Sequence, residues 1–215
     1  MTALVPPVLA DAVLAAAAKR RVVLGICGGP GSGKSTLAAA LAALWSGADA
    51  VAVPMDGFHL SAAELERAGL AHLKGAPETF DPLALEALLA ELRAGTSRTA
   101  PAYSRELHDV IPDAIAVPPT CRIVIVEGNY LGLRGEPWRR VRTHLDWLWR
   151  LDVPWELARD RLIARRIATG RDPDAAREWV DTVDAASARL VADADAEADA
   201  VLEWAGGEWV EAARH

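Results

Sequence analysis

Residues 22–36 read VVLGICGGPGSGKST, and no other stretch of the 215-residue chain constrains its fold as tightly. A β-branched apolar run leads into Gly28-x-x-x-x-Gly33-Lys34-Ser35, and the helix-forming run TLAAALAALW follows at once. This strand–loop–helix setting is what a phosphate-binding loop (P-loop) requires. Glycines let the backbone curl until consecutive N–H groups face one anion, and the positive end of the helix adds to their field. Lys34 can then reach the outer phosphates, where its charge also makes it a catalytic candidate, and the Ser35 hydroxyl can ligate Mg²⁺. The loop candidates for holding a nucleotide are Gly29, Gly31, Ser32, Gly33, Lys34, Ser35 and Thr36. The alternative is a chance glycine-rich turn, and the flanking strand and helix argue against it.

Further apolar runs at 50–54, 122–126 and 147–153 read as short buried strands, separated by stretches rich in Ala, Leu, Glu and Arg. Strand and helix alternation predicts an α/β fold: a P-loop domain with a parallel sheet and helices on both faces. The length suits a single domain spanning residues 1–215. Residues 98–118 carry Pro101, Pro112, Pro118 and Pro119 around Tyr103, Arg105, His108 and Asp109, so they should be irregular or hairpin-like. Such segments in α/β proteins commonly carry function. Residues 154–191 read as two helices broken at Gly170-Arg171-Asp172-Pro173, and ADADAEADA at 192–200 as a solvated connector into a last strand, AVLEW. The early apolar run LADAVLAAAA is followed, not preceded, by Lys19, Arg20 and Arg21. It is too short to span a membrane and has the wrong polarity for a secretion signal, so it reads as an opening amphipathic helix.

A formal charge of −7 gives no electrostatic pull toward nucleic acid or an anionic membrane, which leaves small molecules as the expected partners. Cys27 and Cys121 are too few and too far apart for a disulfide framework and suit a reducing cytoplasm. Trp138, Trp147, Trp149 and Trp155 are numerous enough for some to line a homodimer interface, with core packing the commoner fate.

Phosphate binding alone does not define a reaction. A GTPase would carry Asn-Lys-x-Asp, but Asn129 stands in the wrong context, and no transporter-type LSGGQ is present. At the end of the second strand, VAVPMDGFHL places Asp56 on the sheet edge where ligands bind, beside the P-loop. There a carboxylate can take the proton of a hydroxyl as its oxygen attacks a γ-phosphate, making Asp56 a catalytic base candidate. The bland alternative is an Asp-Gly turn. The strand run in RIVIVEG ends at Glu127, placed to orient Mg²⁺ together with Ser35, or else to act as a capping or loop carboxylate.

The blocks VPMDGFHL, LKGAPETFDPLAL, PAYSRELHDVIP, IVIVEGNYL and RDRLIARRIATGR, in this order across residues 20–205, resemble the uridine kinase, phosphoribulokinase and pantothenate kinase family. The resemblance implies that Asp56 is the catalytic base and that Asp81 of the FDP block holds substrate hydroxyls. It also implies that Tyr103 and His108 line the substrate. Arg105 stands where pantothenate kinase has a histidine, and His59 replaces the tyrosine of the uridine kinase Asp-Ser-Phe-Tyr block. Both are therefore substrate-facing candidates that fit neither pantothenate nor uridine cleanly. Lys74 reads as a solvated charge. The arginine-rich block resembles a closing lid. Arg161 and Arg165 lie four apart and share a helix face, while Arg166 points about a third of a turn away. The likeness implies nucleotide contacts for Arg161 and Arg171 and phosphoryl contacts for Arg165 and Arg166, against the alternative of a solvated basic face paired with Glu156 and Asp160. Taken together, the sequence predicts an enzyme using ATP and Mg²⁺ to phosphorylate a hydroxyl of a nucleoside-, pantothenate- or sugar-like metabolite. A nucleoside monophosphate kinase, suggested by GGPGSGK, and a non-catalytic nucleotide-binding regulatory protein are the alternatives.

Overall fold

The structure is a computed structural model that describes residues 4–104, 106–107, 109–193 and 198–212. The chain runs α1 (Pro7–Ala17), β1 (Val22–Gly28), α2 (Lys34–Leu44), β2 (Val51–Pro54), α3 (Ala62–Ala68), α4 (Pro82–Arg93), β3 (Arg98–Ser104) and β4 (Asp109–Val117). It continues through β5 (Ile123–Glu127), α5 (Trp138–Arg142), β6 (Trp147–Asp152), α6 (Trp155–Ala168), α7 (Pro173–Trp179), α8 (Ala185–Asp193), β7 (Ala200–Ala205) and β8 (Glu208–Glu211).

Every residue of β1 is buried, as in a strand covered on both faces. Its side chains alternate between two apolar cores: Val22, Leu24 and Ile26 pack with Leu37 and Leu41 of α2, while Val23 and Cys27 join the cluster containing Leu85 and Leu89 of α4 and Val191 of α8. The sheet order is β2-β5-β1-β6-β7-β8. All neighbouring pairs are parallel except β7–β8. That antiparallel edge, absent from the sequence reading, turns at Gly206-Gly207, both in left-handed backbone conformations, and Gly-Gly between two strands is a recognised hairpin signal. The proline-rich 98–118 segment is the hairpin it resembled: β3 and β4 pair as a separate two-stranded sheet.

Arg21 departs from its reading as one of the charges trailing the first helix. It is only 8% exposed, and its guanidinium donates to the carbonyl oxygens of Cys121, Leu92, Thr96, Pro118 and Pro119, tying β1 to the end of α4 and the β4–β5 loop. Trp138 and Trp149 are core residues, and Trp147 and Trp155 are half-buried. Both cysteines are free and buried, and burial raises the Cys27 thiol to about 11. The helical stretch 154–191 breaks near Gly170 as expected, but its second helix is interrupted by a π-helical turn over Val180–Asp184. Among the described residues, no helix is long and apolar enough to cross a membrane.

Candidate active site

Because β5 lies between β2 and β1, Pro54, Glu127 and Ile26 stand in register across three strands. The turn after β2, the end of β5 and the P-loop therefore open side by side at the carboxyl edge of the sheet, where α/β sheets bind ligands. Strands lie about 4.8 Å apart, so the β2 turn stands about 10 Å from β1, leaving space for a phosphoryl group and its acceptor.

Gly31 and Gly33 adopt φ of 76° and 95°, conformations that suit glycine. A Cβ at Gly31 would also lie 2.6 Å from the Ala158 carbonyl oxygen, because the loop packs beneath α6. Gly33 leaves the first turn of α2 without a side-chain cap, so its N–H groups face outward, as an anion site needs. Buried Lys34 donates from Nζ to Gly29 O at 2.9 Å and lies 3.4 Å from Ser32 Oγ. Burial lowers its pKa, opposed by the Glu127 and Asp56 carboxylates and reinforced by Arg165. Ser35 Oγ donates to Glu127 Oε1 at 2.8 Å, and Glu127 is only 6% exposed. A hydroxyl and a carboxylate held together beside the phosphate loop are hard oxygen ligands of the kind Mg²⁺ takes.

On the other side of a cleft of about 450 Å³, a 3₁₀ turn, Met55–Phe58, presents half-buried Asp56. His59 Nδ1 sits 2.9 Å from the Asp56 carbonyl oxygen, and its ring lies 3.8 Å from Phe80 and 5.0 Å from Tyr103. Burial is the main cause lowering the His59 pKa. Lys74, read from sequence as a solvated charge, lines this cleft, with Nζ 5.3 Å from the Tyr103 ring centroid. Only the fold could reveal this, since Lys74 is far in sequence from the groups it faces.

Asp81 does not line the cleft. It caps α4, accepting the Ala84 N–H at 2.9 Å, a role legible in the Asp-Pro start of that helix. Arg105 and His108 lie outside the described residues.

The cleft is roofed by α6 and the segment after it. Arg161, Arg165 and Arg166 all line it, joined by Trp179 and Asp184, which the sequence reading missed. Arg161 Nη1 is 3.5 Å from Gly31 O, and its guanidinium stands 5.8 Å from the Trp204 ring. Arg166 pairs with Asp184 at 3.0 Å. Arg171 is exposed on the α6–α7 turn and does not line the cleft.

A second pocket of about 420 Å³ continues from Gly33 and Thr36 along α2 to Arg161, Trp204 and Trp209. Its tryptophan rings lie 5.1 Å apart, edge to face. The two rings present flat apolar surface beside Gly33 and Thr36.

The model of the phosphoribulokinase / uridine kinase family matches residues 23–208. A Schizosaccharomyces pombe protein described as a candidate uridine kinase is 40% identical over 162 residues, covering 71% of this chain and 69% of its own. The pantothenate kinase of Streptomyces coelicolor is 42% identical over 111 residues, which cover 49% of this chain but only 34% of that enzyme. The crystal structure of a candidate fructose transport system kinase from Silicibacter sp. TM1040 superposes with a TM-score of 0.80 at 39% identity, covering 87% and 91% of the two chains.

Proposed function

Because the chain belongs to the phosphoribulokinase / uridine kinase family, we propose that it is an ATP-dependent kinase that phosphorylates a hydroxyl of a small metabolite. The observation that carries this reading is one cleft holding Lys34, the Ser35–Glu127 pair and Asp56, with Asp56 set back from the loop by the width of β5. In the reaction, Asp56 accepts the proton of the acceptor hydroxyl as its oxygen bonds to the γ-phosphorus and the bond to the β-phosphate oxygen breaks, releasing ADP. Lys34 and the N–H groups of the first turn of α2 hold the phosphates, and their charge is preorganised against the developing negative charge. Magnesium, when bound, neutralises and orients phosphate oxygens; Ser35 and Glu127 are the residues that would hold it. Arg161 and Arg165 close the cleft from α6 and exclude water, which would otherwise compete for the phosphoryl group. Trp209, Thr36 and the α2 flank take the adenine.

For the acceptor, His59 and Phe80 line the cleft as an aromatic wall, Lys74 adds a cation, and Tyr103, which does not itself line the cleft, packs behind His59 and Lys74. This supports a hydroxylated acceptor that carries an acidic group. The test is an ADP-release screen across nucleosides, pantothenate, sugars, hydroxy acids and nucleoside monophosphates. Turnover with a hydroxy acid or other acidic alcohol supports the reading, and turnover with nucleoside monophosphates alone refutes it.

A further inference from the structure

Between α7 and α8 the helix changes pitch, with residues Val180–Asp184 forming a π-helical turn. A carbonyl loosened by such a turn needs another donor, and the Thr182 hydroxyl donates to Glu178 O at 2.7 Å. A π turn takes more residues per revolution than an α-helix, so side chains leave it at altered azimuths; single π turns are frequent at functional sites. Asp184 is the last residue of this turn.

Trp179, before the turn, and Asp184, at its end, converge on one guanidinium of α6. Arg166 Nη2 and Nε both donate to Asp184 Oδ2, at 3.0 and 3.3 Å, and the Arg166 guanidinium carbon lies 5.1 Å from the Trp179 ring centroid. Side-chain exposures of 21% and 14% make this a partly desolvated pair, outside the class of surface pairs that contribute almost nothing. Burial raises the Asp184 carboxyl pKa, with Arg166 and then Arg165 pulling it back. Arg165 therefore lies in the field of Asp184 as well as in that of Lys34.

Arg166, held by Asp184, serves as the anchor, and its neighbour Arg165, which lines the cleft in the field of Lys34, as the arm. Downstream, α8 rests on the P-loop: its Ala188 lies 3.6 Å from where a Cβ on Gly29 would be, and its Ser187 Oγ is 3.3 Å from the Tyr130 hydroxyl. Asp184 thus joins the arginine helix to the helix that rests on the phosphate loop. We propose that Asp184 is a positioning residue for phosphoryl transfer: set by the π turn, it locks Arg166 between α6 and α8 and so aims Arg165 at the phosphates over Lys34. The inference rests on the kinase reading above.

The test follows ADP release, with the best screened acceptor and with water alone, in the full-length protein. Misplacing a catalytic group by 1 Å costs up to about 10²-fold, so Asp184→Ala is expected to lower kcat about tenfold or more. KM for ATP should stay within about threefold, since the interaction removed acts in the transition state. Arg166→Ala should give the same loss, and the double variant no greater one, as for two groups acting as a unit. Arg165→Ala should lose more than either. Asp184→Asn, which keeps the side chain's size, covers the case in which Asp184→Ala does not fold, and should show the same kcat loss. Unchanged kcat in a folded Asp184 variant, or losses that multiply in the double variant, overturns the proposal. If Lys34→Ala and Asp56→Asn abolish turnover while the Asp184 variants do not, this proposal alone fails; if all of them retain it, the kinase reading fails.

Discussion

Gly57 packs the Asp56 turn against the β3–β4 hairpin, and Gly57→Ala measures that coupling. The backbone of Gly57 is not in the left-handed region, so alanine meets no conformational barrier there; the obstacle is contact. A Cβ at Gly57 would lie 2.2 Å from the Pro101 carbonyl oxygen and 2.7 Å from its carbon. Ordinary C···O contacts begin at about 3.3 Å, so the Asp56 turn and the hairpin must separate by about 1.1 Å. Both are backbone and packed, and overpacking of this kind costs about 1–3 kcal/mol, which lowers Tm by about 2–12 °C in a chain of this size. The functional loss is larger: Asp56 moves relative to Tyr103 by a distance that costs about 10²-fold in kcat/KM when catalytic and substrate groups are misaligned. ATP affinity, set at the P-loop, should stay within about threefold. The assays are steady-state kinetics with the best screened acceptor, calorimetric ATP binding and thermal unfolding. A folded Gly57→Ala protein with wild-type kcat/KM would show that the hairpin is not coupled to the reacting groups.

Other outcomes follow from the same geometry. Lys34→Met should lose about 10²-fold or more in kcat without lowering the Tm of the ligand-free protein, because burial disfavours the charge it removes; a lowered Tm would make Lys34 structural. The folded-state pKa of His59 is depressed below the ordinary value of about 6.5, so the unfolded chain binds more protons there and stability should fall as pH drops below about 6.5. His59→Gln should flatten that slope, and an unchanged slope would assign it to other groups. Trp209→Ala should raise KM for ATP about five- to tenfold, the contribution of an aromatic contact, with kcat retained; unchanged KM would place the base elsewhere.

The phosphate loop was legible because its chemistry is local: glycines, lysine and serine act within one strand–loop–helix unit, and the strand signal of VVLGICG is continuous because β1 is buried on both faces. Asp56 and Glu127 were legible for a topological reason, since strand ends in a parallel sheet share one edge. Residues whose roles depend on distant partners were not. Lys74 meets Tyr103, and Arg166 meets Asp184 through a π turn that no periodicity announces. Asp81 illustrates the converse: its position in a substrate-like block and its position before Pro82 point to different roles, and the structure shows the cap. Arg21 read only as one of the charges following the first helix because its partners are backbone carbonyls, which leave no mark in a sequence.

The central claim, that Asp56 takes the proton of a substrate hydroxyl beside a nucleotide held at the P-loop, is tested most directly by Asp56→Asn. Asparagine keeps the shape of the half-buried side chain and removes its capacity to accept a proton. Single-turnover phosphoryl transfer and calorimetric ATP binding should be measured on the same preparation. The expected result is a loss of about 10²–10⁴-fold in the transfer rate, with ATP affinity within a few-fold of wild type. Transfer at the wild-type rate, or loss of ATP binding together with transfer, would contradict it.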